Sequence, residues 1–349
     1  MKPAPELAKL HLYVTTRCSE QCPHCWVEAG PRSSRHLAAD QVIPQIDRAL
    51  AMGLREVKVS GGEPLLFQDL TLRIIEHATA AGVTSRLETN CQRLTGEAIT
   101  RLRQAGTIVG TSLDGASPRC HDGFRGTPGS FQRAVRAVTD LVAAGVQVEV
   151  VTCVHTGNQG DLDAVVALCA DLGVTALKFN FPSPYGRARQ LEAESRLCST
   201  DRILQIARHL EERHECNPCI KVDIDIPRAL RNRPPAGPRC DVLRLLSILP
   251  DGRFSLCGIG VTHKELTFGT LDRDNIDAVW NGDQVLARMR RSIPVSGQGI
   301  CASCTEYPLC RGHCVAYSLS EYASLNGPHP LCQDAFELGL FPTERLMVS

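Results

Sequence analysis

The sequence predicts an α/β fold, namely a partial (β/α)6 barrel followed by a small cysteine-rich domain. Strand-like and helix-like segments alternate over the first two-thirds of the 349 residues. Several of the helical segments end at a glycine, as expected at a helix C-terminus. Of the 17 cysteines, ten fall into two spaced sets, one near each end of the chain. These three observations place a parallel sheet first and a metal-rich region last.

Six segments have strand character, because they are short, mostly rich in Val, Leu, Ile or Thr, and bounded by glycine or polar residues. They are residues 10–15, 56–60, 85–88, 108–113, 146–152 and 176–181. Helical patterns cover 39–52, 70–81, 96–105, 130–144, 162–172 and 200–214. Strands that alternate with helices predict a parallel sheet with right-handed crossovers. Six units without a clear seventh and eighth predict a barrel that stays open on one side.

The proline-rich segment RNRPPAGPRC, residues 231–240, breaks this rhythm. It divides the chain into two predicted domains, residues 1–230 and 231–349. The second has sparse helical pattern and dense cysteine, so it would not build a large apolar core of its own. Metal clusters would then supply its structure.

The composition excludes several partners. Lys+Arg and Asp+Glu both number 38, so no net charge favours a nucleic acid. The N-terminus lacks the apolar stretch of a signal peptide, and no apolar run is long enough to span a membrane. We therefore expect a soluble, cytoplasmic protein without nucleic-acid or membrane partners. Disulfides suit small secreted domains and are disfavoured by this setting and by the odd cysteine count.

The first cysteine set is Cys18, Cys22 and Cys25, a CxxxCxxC pattern directly after the first predicted strand. Ligands of parallel α/β folds bind at the carboxyl ends of strands, which is where this loop lies. Three thiolates are one short of the four that saturate a [4Fe–4S] cluster. One iron would remain open for another molecule, and chemistry could take place there.

Polar residues follow the next strands in the same order. They are Gly61, Gly62 and Glu63 in GGEP, then Thr89 and Asn90, then Ser112 and Asp114 in SLDG, and finally Arg125. The glycines would let backbone approach a ligand closely, Glu63 would accept from an ammonium, and Arg125 would pair with a carboxylate. Together they predict an amino-acid site near an open iron. Taken singly, GGEP could be a turn, Thr89 and Asn90 a helix cap, and Arg125 a surface cation.

With these motifs in order, residues 8 to 230 resemble the radical S-adenosylmethionine (SAM) superfamily. The resemblance implies that SAM chelates the open iron through its amino and carboxylate groups. Reductive cleavage would then give a 5′-deoxyadenosyl radical that abstracts hydrogen from a substrate. It also implies that His24 lies near the adenine and that the GRA triplet, residues 186–188, lies near SAM.

The second cysteine set resembles the SPASM extension of these enzymes, which usually holds two auxiliary [4Fe–4S] clusters. The resemblance assigns Cys301, Cys304, Cys310 and Cys332 to an outer cluster, and Cys240, Cys257 and Cys314 to an inner one. Three clusters and SAM are thus the implied cofactors. The fourth inner ligand would be Cys216 or Cys219, or that iron stays open. Zinc is an alternative for this set, although seven cysteines fit two zinc sites poorly. Other cysteines, such as Cys91 and Cys169, would be packing residues.

The substrate is less clearly indicated. One hypothesis is a maturase of a ribosomal peptide, the other an enzyme acting on a sugar or nucleoside intermediate; a reductant such as flavodoxin or ferredoxin would serve either. The early first strand predicts no preceding leader-peptide-binding domain. Sulfatase maturases resemble one another in an aspartate where this chain has Gly258, which counts against that activity. A non-catalytic electron carrier is disfavoured, because it would prefer saturated clusters. Candidate substrate-side groups are His155, Asn180 and Tyr185 near strand ends.

Overall fold

The structure is a computed structural model that describes residues 4–214, 219–235, 240–293, 295 and 297–347. Ten strands form one sheet in the order β10-β9-β8-β1-β2-β3-β4-β5-β6-β7. The strands are β1 Lys9–Tyr13, β2 Glu56–Ser60, β3 Thr84–Glu88, β4 Ile108–Ser112, β5 Val148–Cys153, β6 Ala176–Asn180, β7 Lys221–Asp225, β8 Leu245–Ile248, β9 Arg253–Ser255 and β10 Thr267–Thr270. Among the described residues β7 and β10 are the sheet's edges, so the barrel is open, as predicted.

The helices surround this sheet. They are α1 Ala39–Leu50, α2 Gln68–Ala80, α3 Gly96–Gln104, α4 Pro118–Arg125, α5 Ser130–Ala143, α6 Leu162–Asp171, α7 Ala188–Ala193, α8 Thr200–His214, α9 Ile276–Gly282, α10 Gln284–Ser292, α11 Tyr307–Cys310, α12 Val315–Tyr322 and α13 Pro330–Glu337. The six predicted strands and six predicted helices are all present, with ends shifted by a few residues. No described helix has both the length and the apolar character needed to cross a membrane.

The parallel part of the sheet extends further than the sequence predicts. A seventh strand, β7, pairs in parallel with β6 over its whole length. On the other side β8 pairs in parallel with β1 and continues into the antiparallel strands β9 and β10. The C-terminal region therefore completes the sheet of the first domain.

The main hydrophobic core also contains residues from both regions of the chain. Phe254 and Trp280 from the C-terminal region are buried in the same main core as the strands and helices of the first two-thirds. A separate small cluster forms around Cys301, Cys304 and Cys332. The expectation of few helical segments beyond residue 231 is wrong, because α9 to α13 lie there. Their short lengths hide the helical period from sequence analysis. The boundary at residue 231 remains a prediction.

The two faces of the sheet differ in chemistry. On β2, Val57 and Val59 are fully buried in the main core, where residues of α1 and α2 also pack. The alternate positions Glu56, Lys58 and Ser60 are only partly buried. Side chains alternate along a strand, so these three point to the opposite face. We call this face, opposite the helix-packed core, the inner face.

Candidate active site

The loop after β1 carries the first cysteine set. Cys18 N donates to Gly30 O at 3.1 Å and Cys25 N to Cys22 O at 3.1 Å, so hydrogen bonds within the loop fix its path. Burial raises the pKa of Cys18 and of Cys22 to about 12, and the nearby Cys25 adds a smaller increase to each. The three thiols therefore lie within electrostatic reach of one another. Thiolates there need a compensating positive charge, which iron would supply.

Gly61 and Gly62 hold this loop in place. Gly62 N donates to Thr15 O at 2.6 Å and Glu63 N to Arg17 O at 2.8 Å. A Cβ at Gly62 would overlap the carbonyl oxygen of Arg17, and one at Gly61 would lie 2.5 Å from Thr15 O. The space that the glycines leave is thus filled by the chain leading into Cys18. The close approach that the glycines permit here is between two backbones, and their predicted contact with a ligand stays a prediction.

Arg187, which follows β6, also holds the cysteine loop in place. Its Nε donates to Cys22 O at 2.9 Å and its Nη1 to Ala29 O at 2.8 Å. The preceding Gly186 has φ of +49°, and a Cβ there would lie 2.8 Å from Trp26 O. The GRA triplet after β6 therefore clamps the cysteine loop, and its predicted position near SAM remains a prediction.

Glu63 joins the ends of β2 and β3. Its side chain is fully buried. Oε1 accepts from Leu65 N at 2.9 Å and from Thr89 Oγ1 at 2.6 Å, and Oε2 accepts from Asn90 N at 2.7 Å. Burial raises its pKa to about 7, although these hydrogen bonds oppose the increase. A carboxylate offers about four acceptor positions, so one remains for a further donor.

Thr89 and Asn90 do not cap a helix. The N-cap of α3 is Thr95, whose side chain accepts from Ala98 N. Asn90 Nδ2 instead lies 3.7 Å from Cys18 Sγ and donates to Ser19 Oγ at 3.1 Å. The end of β3 therefore contacts the cysteine loop directly. Ser112 lies at the end of β4 and is partly buried.

Arg125 forms a buried ion network. Its Nε donates to Asp114 Oδ2 and its Nη1 to Glu20 Oε2, both at 2.8 Å. All three side chains are at least nine-tenths buried, which excludes a surface cation. Burial would raise the pKa of Asp114, but Arg125, His24 and His121, with a hydrogen bond from Cys153 N, together outweigh it and lower the pKa to about 2. The guanidinium expected to meet a ligand carboxylate is thus already shared by two carboxylates of the chain. Glu20, between Cys18 and Cys22, was not predicted.

His24 and His155 both stack on the ring of Phe124. The His24 and Phe124 ring centroids are 4.9 Å apart at 7°, and those of Phe124 and His155 are 3.9 Å apart at 16°. His155 Nδ1 accepts from Gly157 N at 3.0 Å, so the neutral ring carries its proton on Nε2. Burial lowers the pKa of His155 to about 4. His155 is therefore a neutral stacking residue, and Phe124, which no sequence motif marks, organises the stack.

Asn180 and Tyr185 lie on the β6 side of the mouth. Both carry a buried polar atom, Asn180 Oδ1 and Tyr185 Oη, without a hydrogen-bond partner among the described residues. The Tyr185 ring is 5.1 Å from that of Tyr317 and 6.3 Å from that of His263. Tyr185 therefore lies outside the ring stack that holds His155, whereas Asn180 pairs with Cys153 at the end of β5, and its carbonyl accepts from Val154 N at 2.8 Å.

The C-terminal cysteines form two groups. Burial raises the pKa of Cys240, Cys257 and Cys314, and the Cys314 thiol raises the pKa of both Cys240 and Cys257 further. We call these three the inner group. Burial also raises the pKa of Cys332, and Cys301, Cys310 and Cys304 add to it. These four are the outer group. The grouping coincides with the division that the family resemblance implies.

The fourth inner ligand is not fixed by these contacts. Cys216 lies outside the described residues, and Cys219 is exposed. Over the part of the chain that the structure describes, no three His, Cys, Asp or Glu side chains are arranged to hold a single metal ion. The buried thiol groups fit iron–sulfur clusters by their donor type, since such clusters are held by cysteine thiolates.

Tyr13 explains why a glycine, Gly258, follows Cys257 of the inner group. A Cβ at Gly258 would lie 2.6 Å from the Tyr13 ring. Tyr13 is buried, and its ring centroid is 6.2 Å from that of Trp26 in a T-shaped contact. The ring fills the space that a side chain after Cys257 would need. The sequence gives no signal for this contact, because the two residues are far apart along the chain.

Two family models match the chain. The first describes the radical SAM superfamily and matches residues 12–172. The second is SPASM, described as an iron–sulfur cluster-binding domain, and matches residues 240–314. The first model thus covers the strand ends from β1 to β5, and the second covers six of the seven C-terminal cysteines.

Relatives and solved structures match most of the chain. The mycofactocin maturase MftC of Mycobacterium tuberculosis is 30% identical over 323 residues, covering 91% of this chain and 81% of that protein. The AdoMet-dependent heme synthase of Oleidesulfovibrio alaskensis is 33% identical over 183 residues, 52% of this chain and 47% of that protein. SuiB of Streptococcus suis, in a crystal structure with S-adenosylmethionine, has a TM-score of 0.75 at 14% identity, covering 95% of this chain and 78% of that chain.

Proposed function

Because this chain belongs to the radical SAM superfamily and carries a SPASM domain, we propose that it modifies a precursor peptide. It is a radical SAM/SPASM enzyme with iron–sulfur clusters and SAM as cofactors. When bound, the SAM-binding cluster supplies the electron that cleaves SAM to methionine and a 5′-deoxyadenosyl radical, which abstracts hydrogen from the substrate. The finer assignments below are supported by contacts within the chain.

We assign the SAM-binding cluster to Cys18, Cys22 and Cys25. The support is that three separate elements hold this loop: the glycines after β2, Asn90 after β3 and Arg187 after β6. A loop fixed on several sides keeps thiolates oriented while one metal position stays uncovered by protein. The inner and outer groups would hold one auxiliary cluster each, which gives three clusters in total.

The residues around the cysteine loop would shape the SAM pocket. Glu63 keeps an acceptor position that suits an ammonium. Arg125 keeps further N–H donors beyond the two that bind Asp114 and Glu20. The stack of His24 on Phe124 presents buried aromatic surface beside the loop, and the His24 Nδ1 atom lacks a partner among the described residues. These features support the binding of an amino acid joined to a flat heterocycle.

The observation that favours a peptide substrate is the length of the match to the mycofactocin maturase, which extends over 91% of this chain. The subtilosin biosynthesis protein AlbA of Bacillus subtilis is 24% identical over 78% of the chain. A structural neighbour, SuiB, was crystallised with its precursor peptide SuiA. The heme synthase match covers about half of the chain, and the Fe-coproporphyrin III synthase of Methanosarcina barkeri, which covers 91% of it, is only 24% identical, so both support a small-molecule substrate less well. The Tyr13 ring beside Gly258 leaves no space for the aspartate expected of sulfatase maturases.

The proposal is tested with anaerobically reconstituted protein. Short peptides encoded beside the gene are incubated with it, SAM and reduced flavodoxin or ferredoxin, and 5′-deoxyadenosine and peptide mass are measured. We expect 5′-deoxyadenosine together with a mass change of one peptide. The Cys22→Ala variant should give neither, whereas Cys198→Ala, which changes a cysteine outside both sets, should give both. Turnover of a sugar or nucleoside with no change in any peptide would contradict the peptide proposal.

A further inference from the structure

Lys58 is a charged residue within the barrel that none of the sequence motifs includes. It occupies the middle of β2, on the inner face, and is partly buried. Its strand neighbours Val57 and Val59 are fully buried on the other face. Alternation along the strand therefore fixes the Lys58 side chain towards the interior of the open barrel.

The neighbouring strands place two more basic side chains beside it. Lys58 is in register with His11 on β1 and with Arg86 on β3. Directly paired positions of adjacent strands bring side chains of one face close together. Burial lowers the pKa of His11 well below 6.5, and Lys58, Lys9 and Arg86 lower it further. His11 is thus neutral at pH 7, and three cationic side chains lie close enough to act on it.

Other cations on the inner face are already paired. Lys9 lies 3.6 Å from Glu56. Arg86 binds Glu149, and Lys178 lies 3.0 Å from Asp225. Lys58 has neither an ion pair nor a side-chain hydrogen bond to any residue that the structure describes. Lys58 is only partly buried, and a bound anion would give it the counter-charge that the other cations of this face already have.

Glu88, on the neighbouring strand β3, is a carboxylate that has no ion pair of its own within the described chain. It follows Leu87, the residue of β3 that pairs with Val59 of β2. Its carboxylate covers Gly110 on β4, where an added Cβ would overlap it. Because β4 lies on the side of β3 away from β2, this carboxylate turns away from Lys58. Lys58 therefore remains available to a ligand.

We propose that Lys58 binds a carboxylate of the substrate inside the barrel. The inference rests on the proposed function and names the chemistry of one substrate group. The carboxylate would belong to the C-terminus of a peptide or to an Asp or Glu side chain. Lys58 lies two residues before the end of β2, whereas the residues assigned to SAM lie at the strand ends. The carboxylate of SAM is therefore not the anion meant here.

The inner cysteine group is the competing source of negative charge. Burial raises the pKa of the Cys240 and Cys257 thiols, and Lys58 is among the groups that lower it. Lys58 would then serve an auxiliary cluster and have no role in substrate binding. The two roles differ in a measurable way, because only the first predicts a preference for carboxylate over carboxamide.

The test uses four probes and calorimetric titration of the reconstituted protein with SAM present. The probes are N-acetyl-Ala-Ala as free acid and as C-terminal amide, and N-acetyl-Glu-Ala amide with its Gln counterpart. One pair varies the C-terminal carboxylate and the other the side-chain carboxylate. We expect the acid of at least one pair to bind about tenfold more tightly than its uncharged partner, as for a charge-assisted hydrogen bond. The preferred pair identifies the source of the carboxylate.

The variants decide the role of Lys58. Lys58→Met should abolish the acid preference, whereas Lys9→Met, which changes a paired lysine of the same face, should keep it. Equal binding of acid and amide by the unaltered protein, no binding of any probe, or an acid preference retained in Lys58→Met would overturn the proposal. So would a changed reduction potential of the inner cluster in Lys58→Met with the acid preference intact. The proposed function is tested separately, by the change in peptide mass that the unaltered protein produces, because that measurement uses none of these probes.

Discussion

Arg125 Nη1 lies 2.8 Å from Glu20 Oε2, so helix α4 is bound to the loop that carries the first three cysteines. The same guanidinium binds Asp114, directly after β4, at 2.8 Å. A single buried cation thus connects the cysteine loop, a strand end and a helix.

Replacing Arg125 with Met should therefore destabilise the protein strongly. The change leaves Glu20 and Asp114 buried without their counter-charge, which costs about 3–5 kcal/mol. Chemical denaturation of the metal-free protein measures the loss. Arg136→Met is the control, because the Arg136 pair with Asp140 is exposed and 3.9 Å long and should contribute at most about 0.5 kcal/mol. Equal stability of the two variants would show that the network does not hold the loop.

Gly62→Ala should impair cluster incorporation. Its Cβ would overlap the carbonyl oxygen of Arg17, so the chain leading to Cys18 must move. We expect less iron per chain after reconstitution and weaker SAM cleavage. Gly96→Ala, at the start of α3 with no atom within 4 Å of the added Cβ, should retain full iron and activity. Normal iron content in Gly62→Ala would refute the packing role of this glycine.

The stability of the metal-free protein should depend on His155 in mild acid. Burial lowers the folded pKa of His155 to about 4 from 6.5, so between these values the unfolded chain binds the additional proton. Stability contributed by the neutral ring is therefore lost as the pH falls from 6.5 towards 4, at no more than about 1.4 kcal/mol per pH unit. His155→Asn, which keeps an acceptor for Gly157 N, should reduce that slope. Denaturant midpoints across this range measure it, and an unchanged slope would contradict the assigned neutral state.

The two C-terminal cysteine groups should hold separate clusters. Reconstituted protein should contain about twelve irons per chain, from three four-iron clusters. Cys257→Ala and Cys301→Ala should each lose about four, and Cys169→Ala, a buried core cysteine, should lose none. Iron analysis and absorption spectra provide the count. Zinc in place of iron at the C-terminal set would remove the auxiliary clusters from the assignment.

The sequence predicted the parts of the fold that repeat. Strands such as β2, with buried valines at alternate positions, and helices such as α5, which ends before Gly145, carry strong local patterns. The strand β7 was not predicted, although KVDID alternates charged with apolar residues as β2 does. The pairing of β8 with β1 was missed because it joins segments more than 230 residues apart.

The sequence identified candidate residues of the site, but it did not identify the contacts that they make with one another. The cysteine groups follow from spacing and family resemblance, and their coupling in the structure agrees with that grouping. The partners of Arg125 and Glu63 did not follow, since a sequence does not reveal which buried donor meets which acceptor. Glu20 carried one usable signal, a carboxylate between two cysteines. Tyr13, Phe124 and Lys58 carried none, because their roles arise from packing across strands.

The most direct measurement is the electron paramagnetic resonance spectrum of the reduced, anaerobic protein before and after addition of SAM. Auxiliary-cluster signals are removed from consideration by using a variant that lacks Cys257 and Cys301. If Cys18, Cys22 and Cys25 hold a cluster with one iron uncovered, SAM should change the g-values of the remaining signal, and 5′-deoxyadenosine should form. An identical spectrum with and without SAM, in protein that contains this cluster, would contradict the assignment.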